Sequence, residues 1–385
     1  MEVKSIASLA EIDAQQWNAL AGFDYPFLRY EFLYALERSG VVSAETGWQP
    51  CHVVVMDRHQ LVALLPMYQK SHSWGEYVFD QAWAQAYQQW GLNYYPKLIT
   101  SIPFTPCVGP RLAVRSDMDL AAITDLLLGF ILRQIENQKL SSWHCLFPEQ
   151  KLHQWLQIKE LIIREDVQFQ WFNHGYKCFD DYLKALTASK RKMIKRERRK
   201  IAEQGIELIR LNGNEITHQQ WQSFYRFYAL TYLKRHSRPY LNPQFFQFLA
   251  ESMPEQLLLV LAMKQQTPVA AALSFIGNNT LYGRYWGCEH DYDALHFEAC
   301  YYQGIEYCLN QGLQRFDSGA QGEHKIARGF EPVATYSAHW IRDVRFVNAI
   351  SDFVGREREQ LNRYKATAAA YLPFRNVKND QILDQ

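Results

Sequence analysis

Two stretches of this chain are written alike, and an internal repeat constrains a fold more than any single motif does. Residues 11–20, EIDAQQWNAL, match residues 215–224, EITHQQWQSF, without a gap at an offset of 204. PFLRYEFLYAL from Pro26 answers PYLNPQFFQFL from Pro239 at an offset of 213. HVVVM from His52 then answers LLLVLA from Leu257, and LVALLPMY from Leu61 answers PVAAALSF from Pro268. Four matches in one order predict two similar units, residues 1–170 and 171–385. The length of 385 residues agrees with two domains of ordinary size.

The second unit reads as helix (219–231), helix after Pro239, three strands in meander, helix (297–310, ended by Gly312), and a short strand at Arg315–Asp317. The third meander strand is TLYGRYWGC, entered through the turn signal GNN. The first unit repeats the order with Val53–Met56, Leu61–Tyr68, Glu76–Phe79, a helix over 119–137 and SSWHCLF, and it inserts an aromatic segment at 81–117. Both units therefore predict an α/β class with a mixed sheet.

Lys and Arg number 41 against 40 Asp and Glu, a net charge of +1 that excludes a globally basic nucleic-acid coat. Yet Lys190–Lys200 reads KRKMIKRERRK, eight bases against one acid, so the rest of the chain carries about −6. A helix over 180–204 is predicted, with Leu183, Leu186, Met193, Ile194 and Ile201 on one face, ended by Gly205. Lys190, Arg191, Lys192, Lys195, Arg196 and Arg199 then form a candidate polyanion surface for nucleotide or tRNA phosphates. No second helix or base-reading motif accompanies the run, so DNA is not an expected partner.

GAQGEHKIARGFEPV, from Gly319 to Val333, joins three glycines to Lys325 and Arg328, a combination suited to anionic groups. His324, Glu323 and Asp317 are candidate proton acceptors, with His324 and Glu323 preferred. His296 and Glu298 open the preceding helix and are further candidates for substrate contact. On TLYGRYWGC, alternation places Tyr282, Arg284 and Trp286 on one face and Tyr285 on the other, and Arg284 reads as a carboxylate or phosphate clamp. In the first unit, PFTPCVGPRL offers Arg111 behind a rigid Gly-Pro turn.

Seven cysteines are scattered with no CxxC pair, and His290 and His296 lie six apart, so neither a disulfide framework nor a metal site is expected. Glu11 and Asp13 interrupt any secretory leader, and no apolar run approaches the roughly 20 residues of a membrane span. These features predict a soluble, cytoplasmic protein.

The order of elements resembles the GNAT acyltransferase fold, and two such units in tandem resemble the Fem family of peptidyltransferases and its peptidoglycan-biosynthesis relatives. The strings that carry the resemblance are PFTPCVGPRL, SKRKMIKRERRKIAEQGI, LYGRYWGC, LHFEACYYQGIEY and GAQGEHKIARGFEPVATYSAHW, between about Trp17 and Phe374. The resemblance implies a strand gap that admits an acyl donor, and a loop closing with Arg328, Gly329 and Phe330 against phosphate. It implies N-acyl or aminoacyl transfer to an amine of an anionic acceptor bound between the units, with a cell-wall precursor as the acceptor. The donor is open between acyl-coenzyme A and aminoacyl-tRNA, since no long heptad-patterned arm is present, and no tightly bound cofactor is expected. The rival expectation is an inactive scaffold of this fold that binds RNA or another polyanion through the basic helix.

Overall fold

The structure, a computed structural model, describes residues 1–320 and 322–375. In chain order the first half carries strands β1 (Glu2–Ile6), β2 (Trp48–Pro50), β3 (His52–Asp57), β4 (Gln60–Leu65), β5 (Tyr68–Lys70), β6 (Lys97–Thr100), β7 (Ala113–Val114), β8 (Ser142–Leu146) and β9 (Ile162–Phe172). Its helices are α1 (Ala14–Ala21), α2 (Tyr30–Arg38), α3 (Gln81–Gln89), α4 (Leu120–Gln138) and α5 (Gln150–Ile158). The second half carries α6 (Phe179–Ala185), α7 (Ala188–Glu203), β10 (Ile206–Asn212), α8 (His218–Leu233), α9 (Pro243–Ser252), β11 (Leu257–Lys264), β12 (Thr267–Ile276) and β13 (Thr280–Cys288). There follow α10 (Leu295–Phe297), α11 (Gln303–Gln311), β14 (Arg315–Asp317), β15 (Glu331–Ile341) and α12 (Val344–Ala370). No helix among the described residues is long and apolar enough to cross a membrane.

The repeated EI-QQW string encodes one local device twice. Glu11 and Glu215 each end a 3-10 turn and accept the backbone N–H of its capping residue, Ser8 at 3.1 Å and Asn212 at 2.7 Å. Two residues on, Asp13 and Thr217 cap α1 and α8 by accepting the N–H of Gln16 and Gln220.

The chain forms two compact units with interleaved segments. Among the described residues, unit 1 comprises 1–166, 240–253 and 334–361, and unit 2 comprises 167–239, 254–333 and 362–375. Unit 1 has an antiparallel sheet ordered β1-β3-β4-β7 and a second ordered β2-β5-β6-β8, closed by residues 337–341 of β15. Unit 2 has one sheet ordered β10-β11-β12-β13-β14, closed by residues 170–172 of β9. Each unit thus takes its closing strand from the end of the other repeat, and β9 and β15 are both 11 residues long.

Unit 1 divides into two sheets where unit 2 has one because its strands break at Cys51 and Pro66. Pro66 has no N–H for a ladder. At the break the Cys51 N–H donates to Met67 O, and the Met67 N–H to the His52 ring instead of a strand partner. Helix α9, from the second repeat, packs in unit 1 on α2, its equivalent in the first. Phe32 and Phe245, matched by the offset of 213, meet edge to face at 5.7 Å between ring centroids. Equivalent residues meeting each other is the signature of a self-complementary contact.

The core of unit 1 packs Val53, Val55, Val62 and Leu98 against Ile123, Leu127 and Ile131 of α4. That of unit 2 packs Leu281 and Phe316 under Tyr302 and Ile305. Three sequence expectations need correction. Residues 76–79 are irregular, and the third meander strand of unit 1 is β6, inside what was read as an insertion. The basic helix is not continuous from 180 to 204, because Leu186 and Thr187 turn extended between α6 and α7. Met193 is only half-buried, unlike Leu183, Leu186, Ile194 and Ile201.

Gly287 of β13 lets α8 lie directly on the sheet. A Cβ there would stand 2.0 Å from Phe227 O. Gly287→Ala should lower stability by at least the roughly 1–3 kcal/mol of an overpacked core, read as a reduced urea midpoint with an unchanged slope.

Candidate functional site

The site lies in unit 2, where β13 and β14 part. They pair in parallel over three residues only, Thr280–Tyr282 against Arg315–Asp317, and β14 then ends while β13 runs on to Cys288. The edge of β13 from Gly283 onward therefore has no ladder partner on that side among the described residues. Unit 1 carries the matching parallel pair, β6 with β8.

A bulge shapes the same stretch. Against β12, Ser274 faces Gly283 and Leu273 faces Tyr285, so Arg284 is the extra residue. Gly283 abuts Phe316, Gly287 abuts α8, and Tyr285 packs on Tyr228 of α8. Gly283 and Gly287 would share a face in a regular strand. The expected alternation of Tyr282, Arg284 and Trp286 is thus broken: the Arg284 guanidinium carbon lies 5.8 Å from the Tyr285 ring, while Trp286 turns to His296 at 5.5 Å.

At the open end of β13 sits a cleft of about 280 Å³ lined by Trp286, Cys288, Tyr292, Leu295, His296 and Phe297, with Asp291 and Ala294. Its lining is mainly aromatic and apolar, the usual character of a small-molecule pocket. The helix behind it is not uniform. α10 passes through a π-turn at Glu298–Tyr302 before α11, and such turns recur at functional sites. Glu298 is buried; its carboxylate meets Arg198 at 3.2 Å and Gln303 at 2.8 Å, and Oε2 has no hydrogen-bond partner among the described residues. Burial raises its pKa above the usual carboxylate range, against the pull of Arg198.

The Gly-rich segment folds as a 3-10 helix, Glu323–Arg328, ended by Gly329 in the left-handed conformation. It brings His324 beside His296 and Phe297, with ring centroids 5.8 and 5.5 Å away, and places its Nε2 2.8 Å from the Tyr301 hydroxyl. Desolvation and the cations Arg328 and Lys325 hold the His324 pKa below the ordinary imidazole value. Burial pushes the Tyr301 phenol well up. Glu323 is exposed and accepts the Tyr364 hydroxyl at 3.0 Å.

The cations of this segment face inward. Lys325, 1% exposed, donates to the carbonyls of Ser318 and Gly319. Arg328, 3% exposed, donates to Glu197, Tyr302 and the His324 carbonyl, with its guanidinium carbon 3.6 Å from the Phe297 ring centroid. Phe330 is fully buried against Tyr301 and Phe316. Asp317 is buried at the fork, where its carboxylate accepts the Gly319 N–H at 3.0 Å. Lys325, Arg328 and Phe330 therefore build the wall of the site, in place of the expected open phosphate cradle.

Arg111 lies in unit 1, fully buried, and donates to the carbonyls of Leu146, Gly109, Pro110 and Cys107 as well as to Tyr25. Within unit 1 it ties a turn together. On α7, Arg198, Arg199 and Lys200 are spent on Glu298 and Glu306, on Glu203 and on Asp293. Lys190, Arg191, Lys192, Lys195 and Arg196 enter no ion pair among the described residues. Tyr301, Tyr302 and Glu197 were missed by sequence reading. The signal for Glu197 was there, as the lone acid among eight bases.

His296, His144 and His339 are all held neutral mainly by burial, with His296 down at about 4. The unfolded chain binds these protons near the ordinary value of about 6.5, so acidification favours unfolding. Stability should be fully present above about pH 6.5 and fall as the pH drops toward 4, and melting temperatures across that window check it.

An antiparallel meander, a helix and a following parallel strand, present in both units, define a tandem GNAT fold. A family model named FemAB-like and described as peptidoglycan biosynthesis/recognition matches residues 8–376, and the chain belongs to that family. Among solved structures it is similar to FemX, with 10% identity, 91% of this chain and 100% of the other covered, and a TM-score of 0.51. It is also similar to the C-terminal domain of a protein assigned as a lysylphosphatidylglycerol synthetase from Agrobacterium fabrum, with 9% identity, 90% and 97% covered, and a TM-score of 0.55. The L-PGS of Bacillus licheniformis gives 10% identity, 87% and 97% covered, and a TM-score of 0.50. Comparison with curated proteins gave no match.

Proposed function

We propose that unit 2 transfers an acyl or aminoacyl group to an amine of an anionic acceptor, with the donor's acyl end in the cleft beyond the fork of β13 and β14. The observation that carries this reading is the fork itself, which opens backbone and an aromatic cleft at one place. The attacking amine must lose a proton. Tyr301 accepts it while passing its own to the neutral Nε2 of His324, 2.8 Å away. The C–N bond then forms, the donor's C–O or C–S bond breaks, and the proton on His324 returns through Tyr301 to the leaving group. No acyl-enzyme is needed: the Cys288 thiol beside the cleft has its pKa raised by burial, which disfavours a thiolate nucleophile. The family description supports a cell-wall precursor as the acceptor, and the unpaired bases of α7 offer its phosphates a surface.

Thermal shift and transfer assays with acetyl-coenzyme A and with alanyl-tRNA test the reading. One donor should raise the melting temperature of the wild type and not of Trp286→Ala. Neither stabilisation nor transfer with either donor would count against it.

A second reading, RNA binding through α7 without turnover, is favoured by the five basic residues that have no ion pair. If all five meet phosphates, log affinity for single-stranded RNA should fall with log salt at a slope of about −3.5. A flat salt dependence removes this reading.

A further inference from the structure

One cluster in unit 1 buries four charged side chains, two of each sign. Lys70 and Lys97 are 0% exposed, Glu76 4% and Asp80 3%. Lys97 opens β6, the strand that corresponds to β13, and its ammonium pairs with Glu76 at 2.8 Å, with Asp80, and with the Ser73 hydroxyl at 2.9 Å. Tyr94 donates to Asp80 at 2.7 Å.

The network is only half satisfied. Glu76 Oε1 and Asp80 Oδ1 have no hydrogen-bond partner among the described residues. Lys70 touches no carboxylate: its ammonium lies 3.8 Å from the Trp48 ring centroid and 3.3 Å from both His72 Nδ1 and the Trp74 carbonyl. Buried groups left like this cost more than an apolar core would, so stability alone does not account for them.

The two signs also come from different kinds of backbone. The lysines stand on β5 and β6, whereas Glu76 and Asp80 stand on the irregular segment 71–80. Within that segment these two carboxylates alone are buried, while Trp74 and Phe79 are 68% and 60% exposed. The segment thus turns its two carboxylates inward and leaves Trp74 and Phe79 outside, while hydrogen bonds at His72, Ser73, Gly75 and Phe79 tie its backbone and polar groups to their surroundings. Burial pushes Glu76 up to about 7, which makes it the weaker of the two occupants.

We propose that Lys97 and its cross-strand neighbour Lys70 form a carboxylate-binding site in unit 1, that the chain's own Glu76 and Asp80 occupy it at Lys97 and leave Lys70 unmatched, and that a ligand bearing carboxylates takes it by displacing segment 71–80. This holds whether or not unit 2 is a transferase.

Amide exchange of the full wild-type chain with glutarate, and with the neutral glutaramide as control, tests it. Glutarate should speed exchange across 71–80 in a dose-dependent way, and glutaramide should not. By calorimetry Glu76→Gln, which leaves Lys97 paired with Asp80, should bind glutarate at least about tenfold more tightly than the wild type. Unchanged exchange at 71–80 with glutarate would overturn the proposal even if that variant does not fold. So would equal affinity in a folded Glu76→Gln protein.

Discussion

Lys97→Ala should destabilise the protein by on the order of 3–5 kcal/mol, the usual cost of removing one partner from a buried ion pair. The variant leaves Glu76 and Asp80 in the interior without their shared ammonium, and Lys70 cannot substitute because it reaches neither carboxylate. The loss should therefore come from uncompensated charge more than from lost volume. Neutralising both acids in the same background, as Lys97→Ala with Glu76→Gln and Asp80→Asn, should recover much of it. Urea unfolding of the single and triple variants checks this. A triple variant no more stable than Lys97→Ala would place the cost in packing instead.

His324→Ala should lower the transfer rate by about 10²- to 10⁴-fold, the range that a positioned acid–base group supplies. Its fold should persist, because the imidazole is exposed and its ring hydrogen-bonds a single phenol. Tyr301→Phe should fall in the same direction, since it removes the hydroxyl that links His324 to the amine. The acid limb of the wild-type rate profile should lie below the ordinary imidazole value of about 6.5, because desolvation and then Arg328 and Lys325 disfavour the imidazolium. Steady-state rates across pH for the wild type and the two variants measure all three effects.

Much of unit 2 was legible because its signals are local. TLYGRYWGC gave β13 to the residue, Arg315–Asp317 gave β14, and Gly312 ended α11 in the left-handed conformation that glycine favours. The repeat was legible through Glu11 and Glu215, whose capping role depends on residues three positions away. What failed depends on contacts distant in sequence. The bulge at Arg284 is set by pairing with β12, so alternation within TLYGRYWGC could not show it. Strand β6 was hidden because KLIT is short and follows an aromatic stretch, while Glu76–Phe79 mimics a strand in its spacing.

The exchange of β9 and β15 between units was not legible, since it rests on pairings with strands more than 140 positions away in the chain. The inward turn of Lys325 and Arg328 was also invisible. Cations in a Gly-rich loop read as ligand-facing until Glu197, 131 residues from Arg328, is seen to hold one of them. The meeting of Glu76 and Asp80 with Lys97 was likewise invisible, because the acids lie 21 and 17 positions from Lys97 with no pattern to join them.

The most direct test of the account is the amide-exchange footprint of whichever donor, acetyl-coenzyme A or alanyl-tRNA, stabilises the protein. The account predicts slowed exchange at Gly283–Cys288 and His296–Tyr301. Protection confined to β6 and β8, with none at the forked end of β13, would contradict it.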